Sequence, residues 1–423
     1  MPRPQRYNFQ KKYKHFLSSC LSIFFEIDWL LLILIVSLTS LGGLTIKSTE
    51  INETSTNYLQ HLLSGSIGFA IMLSIARFNY KNLMIWHWLI YCLTNVVLIA
   101  VIVFGVTANG AQSWIEIWGF NIQPSEFAKI GLIITLAALL HKNDGTKIVS
   151  VLQILGITFI PWVLIMCQPD LGTGLVFGAI TLGMLYWANI HTGLLILLVS
   201  PIISTILFNI FFIAWIVWTI VMGIISWVTL PYRFISTIGI MTINFTVGKL
   251  SNIFWELLRD YQKDRLTLFL EPEKNPLGGG YQLIQSRIAI GSGELWGRGL
   301  FQGTQTQLDF VPEQHTDFIF SVIGEEFGFI GSIVILIIFW LICFRYVVVA
   351  SKAKENFGSL LVIGVLSMTS FQVIINICMT VGLAPITGIP LPWLSYGKSA
   401  LLTNFIALGL VESVSKHRQR KRL

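Results

Sequence analysis

Pro312-Glu-Gln-His-Thr-Asp317 closes a long polar segment and runs straight into Phe318-Ile-Phe-Ser-Val-Ile-Gly-Glu-Glu-Phe-Gly328 and an apolar stretch ending near Trp340. That stretch is long enough to cross a bilayer as a helix. An acid and a histidine are therefore parked at the lip of a membrane span. Ionisable groups at that depth are costly to desolvate and mark a site by default.

Outward from this junction the same apolar signal recurs. The chain is 54% hydrophobic and 12% charged, over 423 residues. Candidate spans fall at 27–46, 59–77, 84–106, 124–141, 149–168, 171–189, 192–209, 211–230, 235–257, 318–341, 357–381 and 397–415, about twelve by the spanning-length rule. The chain thus reads as a single all-α polytopic membrane domain over residues 1–423, with one long outer loop at 258–317. Residues 192–257 offer about 65 positions, enough for three spans of roughly 20 each. Basic residues orient the spans. Arg3, Arg6, Lys11, Lys12 and Lys14 precede the first. Arg77 and Lys81, Lys142 and Lys147, Arg233, then Arg345, Lys352 and Lys354 fall in alternate loops, and Lys416, Arg418, Arg420, Lys421 and Arg422 form the tail. The positive-inside rule makes all of these cytoplasmic, and both termini with them. The net charge of +7 is then topology and headgroup contact, not a nucleic-acid signal. The first apolar run is too long for a cleavable signal. The five cysteines, Cys20, Cys92, Cys167, Cys343 and Cys378, lie in or beside spans with no disulfide or metal spacing.

The outer loop carries Asp260-Tyr-Gln-Lys-Asp-Arg265, Pro276-Leu-Gly-Gly-Gly280, Gln285-Ser-Arg287, Gly297-Arg-Gly299 and Gly303-Thr-Gln-Thr-Gln-Leu308. Glycine lets backbone approach a ligand, and arginine matches phosphate geometry. A flexible solvated loop is the plainer reading. Beyond it, Asp317, Ser321, Gly324 and Gly328 follow i, i+4, i+7, i+11 and share a helix face. That strip reads either as a groove for a lipid chain or as a small-residue helix contact. Gln123-Pro-Ser-Glu-Phe-Ala-Lys129 opens the fourth span, with Glu126 and Lys129 spaced to pair. In Gln168-Pro-Asp-Leu-Gly-Thr173, Asp170 is placed to cap the next helix. A last outer loop, 382–396, is stiffened by three prolines and enters the final span at Lys398.

These motifs, in this order from Asp28-Trp29 to the tail, resemble the SEDS family of bacterial membrane glycosyltransferases. The strongest parts are Pro124 to Lys129, Gln168 to Thr173, the block 281–328, and Pro390-Leu-Pro392 with Ser395-Tyr-Gly397. The run 303–308 before Pro312-Glu313 is closer to the elongation branch than to the division branch. The resemblance implies polymerisation of lipid II into peptidoglycan strands at the outer face of the cytoplasmic membrane. It also implies a class B penicillin-binding protein as partner, and a ten-helix core to which 192–257 adds two spans. Asp317 matches the essential acid; Glu126, Lys129 and Asp170 match functional polar positions. Four departures stand out: Gln112-Ser113 where an arginine is usual, Lys398 where a second glycine is usual, Glu294 where a glycine is common, and the expanded 192–257 region.

What the resemblance implies chemically is displacement at a sugar anomeric carbon, with a base opposite the leaving group. Asp317 is the expected base, with His315 beside it and Ser321 one turn below. Arg287, Arg298 and Lys129 are expected counter-charges for the leaving pyrophosphate, and Lys398 a relocated one. A divalent ion on an outer carboxylate is an alternative counter-charge, though no dedicated metal cage is visible. Competing readings are a lipid II flippase, a division-type polymerase and a passive scaffold. A flippase needs a polar path to both faces.

Overall fold

The computed structural model describes residues 27–50, 56–108, 111–117, 120–142, 148–230, 232–257, 260–270, 272–274 and 280–417. The basic N-terminal residues, Lys147, the tail beyond His417, Cys20 and the Pro276-Leu-Gly-Gly stretch lie outside them.

Helices run α1 (Trp29–Thr49), α2 (Asn57–Arg77), α3 (Lys81–Phe104), α4 (Pro124–Lys142), α5 (Ile148–Cys167), α6 (Leu171–Trp187), α7 (Thr192–Ile210), α8 (Phe212–Thr229) and α9 (Arg233–Lys249). After short helices α10 (Ser251–Leu257), α11 (Asp260–Leu270), α12 (Tyr281–Ser292) and α13 (Thr304–Gln307) come α14 (Ile319–Ser351), α15 (Asn356–Val381) and α16 (Lys398–Lys416). Each expected span overlaps one of the long helices, though the one at 235–257 ends at Lys249 and the one at 318–341 runs on to Ser351. Nine of them, among the described residues, are long and apolar enough to cross a membrane. Leu171–Trp187, Arg233–Lys249 and Lys398–Lys416 occupy the remaining expected positions.

The reason α16 is less apolar is its position. It lies almost wholly inside the bundle, packed against α2, α4 and α15. A helix that meets protein on every side can carry Thr403, Asn404 and Ser413 where a lipid-facing one would not. Central α4 is likewise buried along nearly its whole length. Its first residue is Pro124, which needs no N–H partner there.

Four features depart from the sequence reading. The 107–123 region is not plain loop. It holds an antiparallel meander, β1 (Val106–Ala108), β2 (Ala111–Ile117) and β3 (Phe120–Ile122), with Val106 opposite Trp114 and Ile115 opposite Ile122. Second, α14 has 33 residues and is broken at Gly328 (φ 66, ψ −162). The part beyond Gly328 alone suffices to span, at 1.5 Å per residue. Third, the break takes Gly328 out of register with Asp317 and Ser321, and the small strip is filled. A Cβ on Gly324 would meet Ile290 of α12, and one on Gly328 would strike Gly297 and Leu295. The strip is a packing surface, not a lipid groove.

The fourth departure concerns 192–257. The last helix there stops at Lys249, and α10 follows. Helices α7, α8 and α9 pack mainly on one another. Their seam is polar: buried Asn244 donates to Ser200 Oγ (3.0 Å), Trp215 Nε1 donates to Ser204 Oγ (2.9 Å), and Ser204 donates to the Asn244 carbonyl (2.7 Å). Such interhelical hydrogen bonds hold helices together where lipid supplies no hydrophobic drive.

Candidate active site

A cavity of about 270 Å³ opens where the amino ends of α4, α6 and α16 meet the loops at one end of the bundle. Its wall includes Ser113 and Trp114 from β2, Asp170 and Gly172 at the start of α6, Gln262 and Arg265 from α11, Glu313, Thr316 and Asp317 ahead of α14, and Thr387, Gly388, Tyr396 and Ser399. Asp317 and Arg265 face each other across Gly388. A Cβ added there would lie 3.4 Å from Asp317 Oδ2 and 3.5 Å from Arg265 Nη1. Gly388 has φ +73, so a side chain would be strained as well as crowded.

Burial pushes the Asp317 carboxyl up to about 6. The Arg265 guanidinium works against that rise, while Glu313 and Asp170 add to it. The position of Asp317 is fixed from behind. Asn376 of α15, fully buried, donates to the Asp317 carbonyl (2.9 Å) and to the Ile389 carbonyl (2.8 Å). One amide thus locks the acid to the proline-rich loop facing it.

Asp170 caps α6 as its sequence context predicts, accepting from the Thr173 amide at 3.0 Å and the Thr173 hydroxyl at 2.7 Å. It also accepts from Gln123 Nε2 (3.1 Å). Below it lies a smaller space of about 30 Å³, bordered by Glu126, Lys129, Thr173 and Gln372. That is about the room one water occupies. Lys129 Nζ donates to Glu126 Oε1 at 2.8 Å, with both side chains buried. Glu126 Oε2 has no protein partner. Below Lys129, α4 turns largely apolar, with Ile133, Leu136 and Ala137 fully buried and Thr135 satisfied by the Gly131 carbonyl (2.8 Å).

The other expected site residues are not in the cavity wall. Arg287 is exposed on α12 and donates to the Gly382 carbonyl (3.0 Å). Arg298 is exposed and donates to the Ser292 carbonyl (3.2 Å). Ser321 is buried and donates to the Phe318 carbonyl (2.6 Å). His315 packs its ring 5.7 Å from Tyr396 and takes the Tyr396 amide on its carbonyl (2.9 Å), so it positions the Tyr396 turn. Lys398 sits between two wall residues, Gly397 and Ser399, without lining the wall. The cation that does line it, Arg265, belongs to the outer-loop run Asp260–Arg265 but is not singled out by the sequence reading. Gln262 and Arg265 are i, i+3 on α11 and present one polar face, and that spacing was the available signal.

The nearby loop 299–308 is pinned by two buried carboxylates of α14. Glu325 accepts from the Gln305 and Thr306 amides (2.8 and 3.0 Å) and from the Thr306 hydroxyl (2.7 Å). Glu326 accepts from the Phe301 amide (3.2 Å) and from Ser48. No cluster of three or more metal-type ligands occurs among the described residues.

The molecule is thus a multi-pass membrane protein with an acid–guanidinium cavity at one end of its helix bundle. The profile of the FtsW/RodA/SpoVE family, described as cell cycle proteins, matches residues 20–218 and 213–420, and the chain belongs to that family. Peptidoglycan glycosyltransferase RodA of Treponema pallidum (strain Nichols) is 33% identical over 422 residues, covering 92% of this chain and 98% of that protein. Peptidoglycan glycosyltransferase MrdB of Escherichia coli (strain K12) is 33% identical, covering 84% of each chain. Among solved structures, a peptidoglycan synthase complex described for its coordination of polymerization and crosslinking matches with a TM-score of 0.70 at 23% identity, covering 93% of this chain and 99% of that one. The rod shape determining protein RodA of Thermus thermophilus matches with a TM-score of 0.61 at 22% identity, covering 93% and 98%.

Proposed function

We propose that this chain is a peptidoglycan glycosyltransferase of the elongation type, polymerising lipid II into glycan strands with Asp317 as general base. The observation that carries the reading is the pairing in one cavity of a carboxyl raised to about 6 with a guanidinium across Gly388. A base poised near the working pH can take a hydroxyl proton and still be ionised. The acceptor sugar hydroxyl of one lipid II approaches Asp317. The anomeric carbon of the donor lies beyond it, and the departing pyrophosphate meets Arg265. Asp170, Gln123 and the Glu126–Lys129 pair form the polar floor that holds the sugar-phosphate in register. Lys129 is the deepest charge of this floor and is held by Glu126, so Arg265 takes the counter-charge role in place of Lys129, Arg287 and Arg298.

The flippase reading is disfavoured by the largely apolar turns of α4 beneath Lys129. The membrane is the bacterial cytoplasmic one, with both termini cytoplasmic and the cavity outside. Residues 192–257 are an added part of one domain, and 258–317 is the outer loop that supplies the site. The partner is a class B penicillin-binding protein that cross-links the product strands. The test is purified protein with lipid II, assayed for glycan polymer with and without that partner. Polymer made by the parent and not by Asp317→Asn supports the reading. Absence of polymer under both conditions, with lipid II transfer between leaflets, would replace it by the flippase.

A further inference from the structure

At the opposite end of the bundle lies a second, larger cavity of about 890 Å³. It forms where the last turn of α4 (His141, Lys142) and the last turn of α6 (Tyr186, Trp187) meet the first residues of α7 and α15 (Thr192, Asn356). Nothing in the polymerisation mechanism uses it. Its chemistry is one-sided. The wall carries Lys142, the rings of His141 and His191, the amides of Asn189 and Asn356 and the hydroxyl of Ser359, and no acidic side chain among its described residues. Trp187 Nε1 already donates to Ser359 Oγ (2.8 Å), which leaves that hydroxyl its own proton to give. The amino ends of two long helices, α7 and α15, also lie here and favour negative charge; the Gly193 amide of α7 is capped by His191 Nδ1 (3.3 Å), and Glu355 ahead of α15 is paired with Lys81.

We propose that this cavity binds a phosphate-bearing anion, with Lys142 supplying the charge and His141, Asn356 and Ser359 supplying hydrogen bonds. Two sources share that chemistry: the headgroup of an anionic lipid in the adjacent leaflet and a free phosphate ester. The wall is amphipathic enough for the first, since Tyr186 and Trp187 are residues that settle at a membrane–water interface. Calling the adjacent leaflet the cytoplasmic one rests on the topology proposed above; the binding chemistry does not.

The experiment uses the full chain purified in nanodiscs, where both faces are open to solvent. Thermal stability is read in discs of phosphatidylcholine alone, in discs containing phosphatidylglycerol, and in phosphatidylcholine discs with added inorganic phosphate. A rise in Tm with phosphatidylglycerol only assigns the lipid headgroup. A rise with inorganic phosphate assigns the free anion. Lys142→Gln, at an exposed position, and His141→Gln should each weaken the half-saturating anion concentration about tenfold, the scale of one charge-assisted hydrogen bond. Lipid II polymerisation by the same variants in phosphatidylcholine discs checks that the outer cavity is intact and keeps a failure here distinct from a failure of the proposed activity. No rise with either anion, or a rise that Lys142→Gln and His141→Gln leave unchanged, overturns the proposal.

Discussion

At the residue scale, Asp317 and Arg265 set opposite demands on one proton. A general base works ionised, so polymerisation should fall as pH drops through about 6. Asp317→Asn should lower turnover by roughly 10²–10⁴-fold, the range for losing a general base. Its folded pKa lies above the ordinary 3.8, so ionising it costs native stability as pH rises from 3.8 to about 6, and that cost is complete above. The asparagine variant should therefore melt no lower than the parent at pH 7; a clear drop in Tm would mean the carboxylate is structural. Arg265→Gln removes the lowering influence, so the acid limb of the pH–rate profile should move to higher pH while the maximal rate falls. Arg287→Gln and Arg298→Gln, both exposed, should stay within about twofold of the parent; equal damage from all three would return the cation role to the loop as a whole. Glu294 holds φ +49, a left-handed conformation that glycine adopts without strain. Glu294→Gly should gain about 1 kcal/mol in denaturation, and no gain would mean its neighbours already compensate. Asp317 was legible because it stands with His315 at the point where the long polar segment enters an apolar run, within a stretch that carries the family resemblance. Arg265 was one of several loop arginines, and only the fold of α11 separates it from the rest.

At the scale of elements, spans were readable because length and hydropathy suffice for them. Cap residues were readable too: Asp170 does cap α6. What escaped were features set by a neighbour. The Asp317–Gly328 strip has the same spacing whether lipid or protein fills it, and α12 fills it. The meander at 106–122 is the exception, since Asn109-Gly110, a local two-residue hairpin signal, stands between β1 and β2 in the chain. The Glu126–Lys129 pair was expected from i, i+3 spacing, and the helices packed around α4 bury it. Removing one partner of a buried pair leaves an uncompensated charge, about 3–5 kcal/mol. Glu126→Gln and Lys129→Met should each lower Tm or activity, and the double variant should lose less than the two together. Strict additivity in that cycle would show that they act separately.

At the scale of the whole molecule, α7–α9 form a unit of their own, and their orientation tests the topology. Tyr232, exposed at the start of α9, is the natural reporter. With Arg233 cytoplasmic by the positive-inside rule, Tyr232→Cys in a background lacking native cysteines should react only with reagents that reach the cytoplasm. Labelling from outside would remove one crossing from 192–257. By itself the sequence determined the helical membrane class, the approximate position of the long helices and the acid at the lip. These depend on transfer of apolar segments out of water and on local cap chemistry, both of which are written in contiguous residues. Only the tertiary structure decided which polar groups converge. Asp317, Arg265, Asp170 and Tyr396 come from segments far apart in the chain, and packing of buried helices brings them to one cavity. It also decided that Lys129 sits beneath that cavity, and that a second polar cavity occupies the far end of the same helices, because convergence is a property of packed surfaces and leaves no periodic trace in the chain.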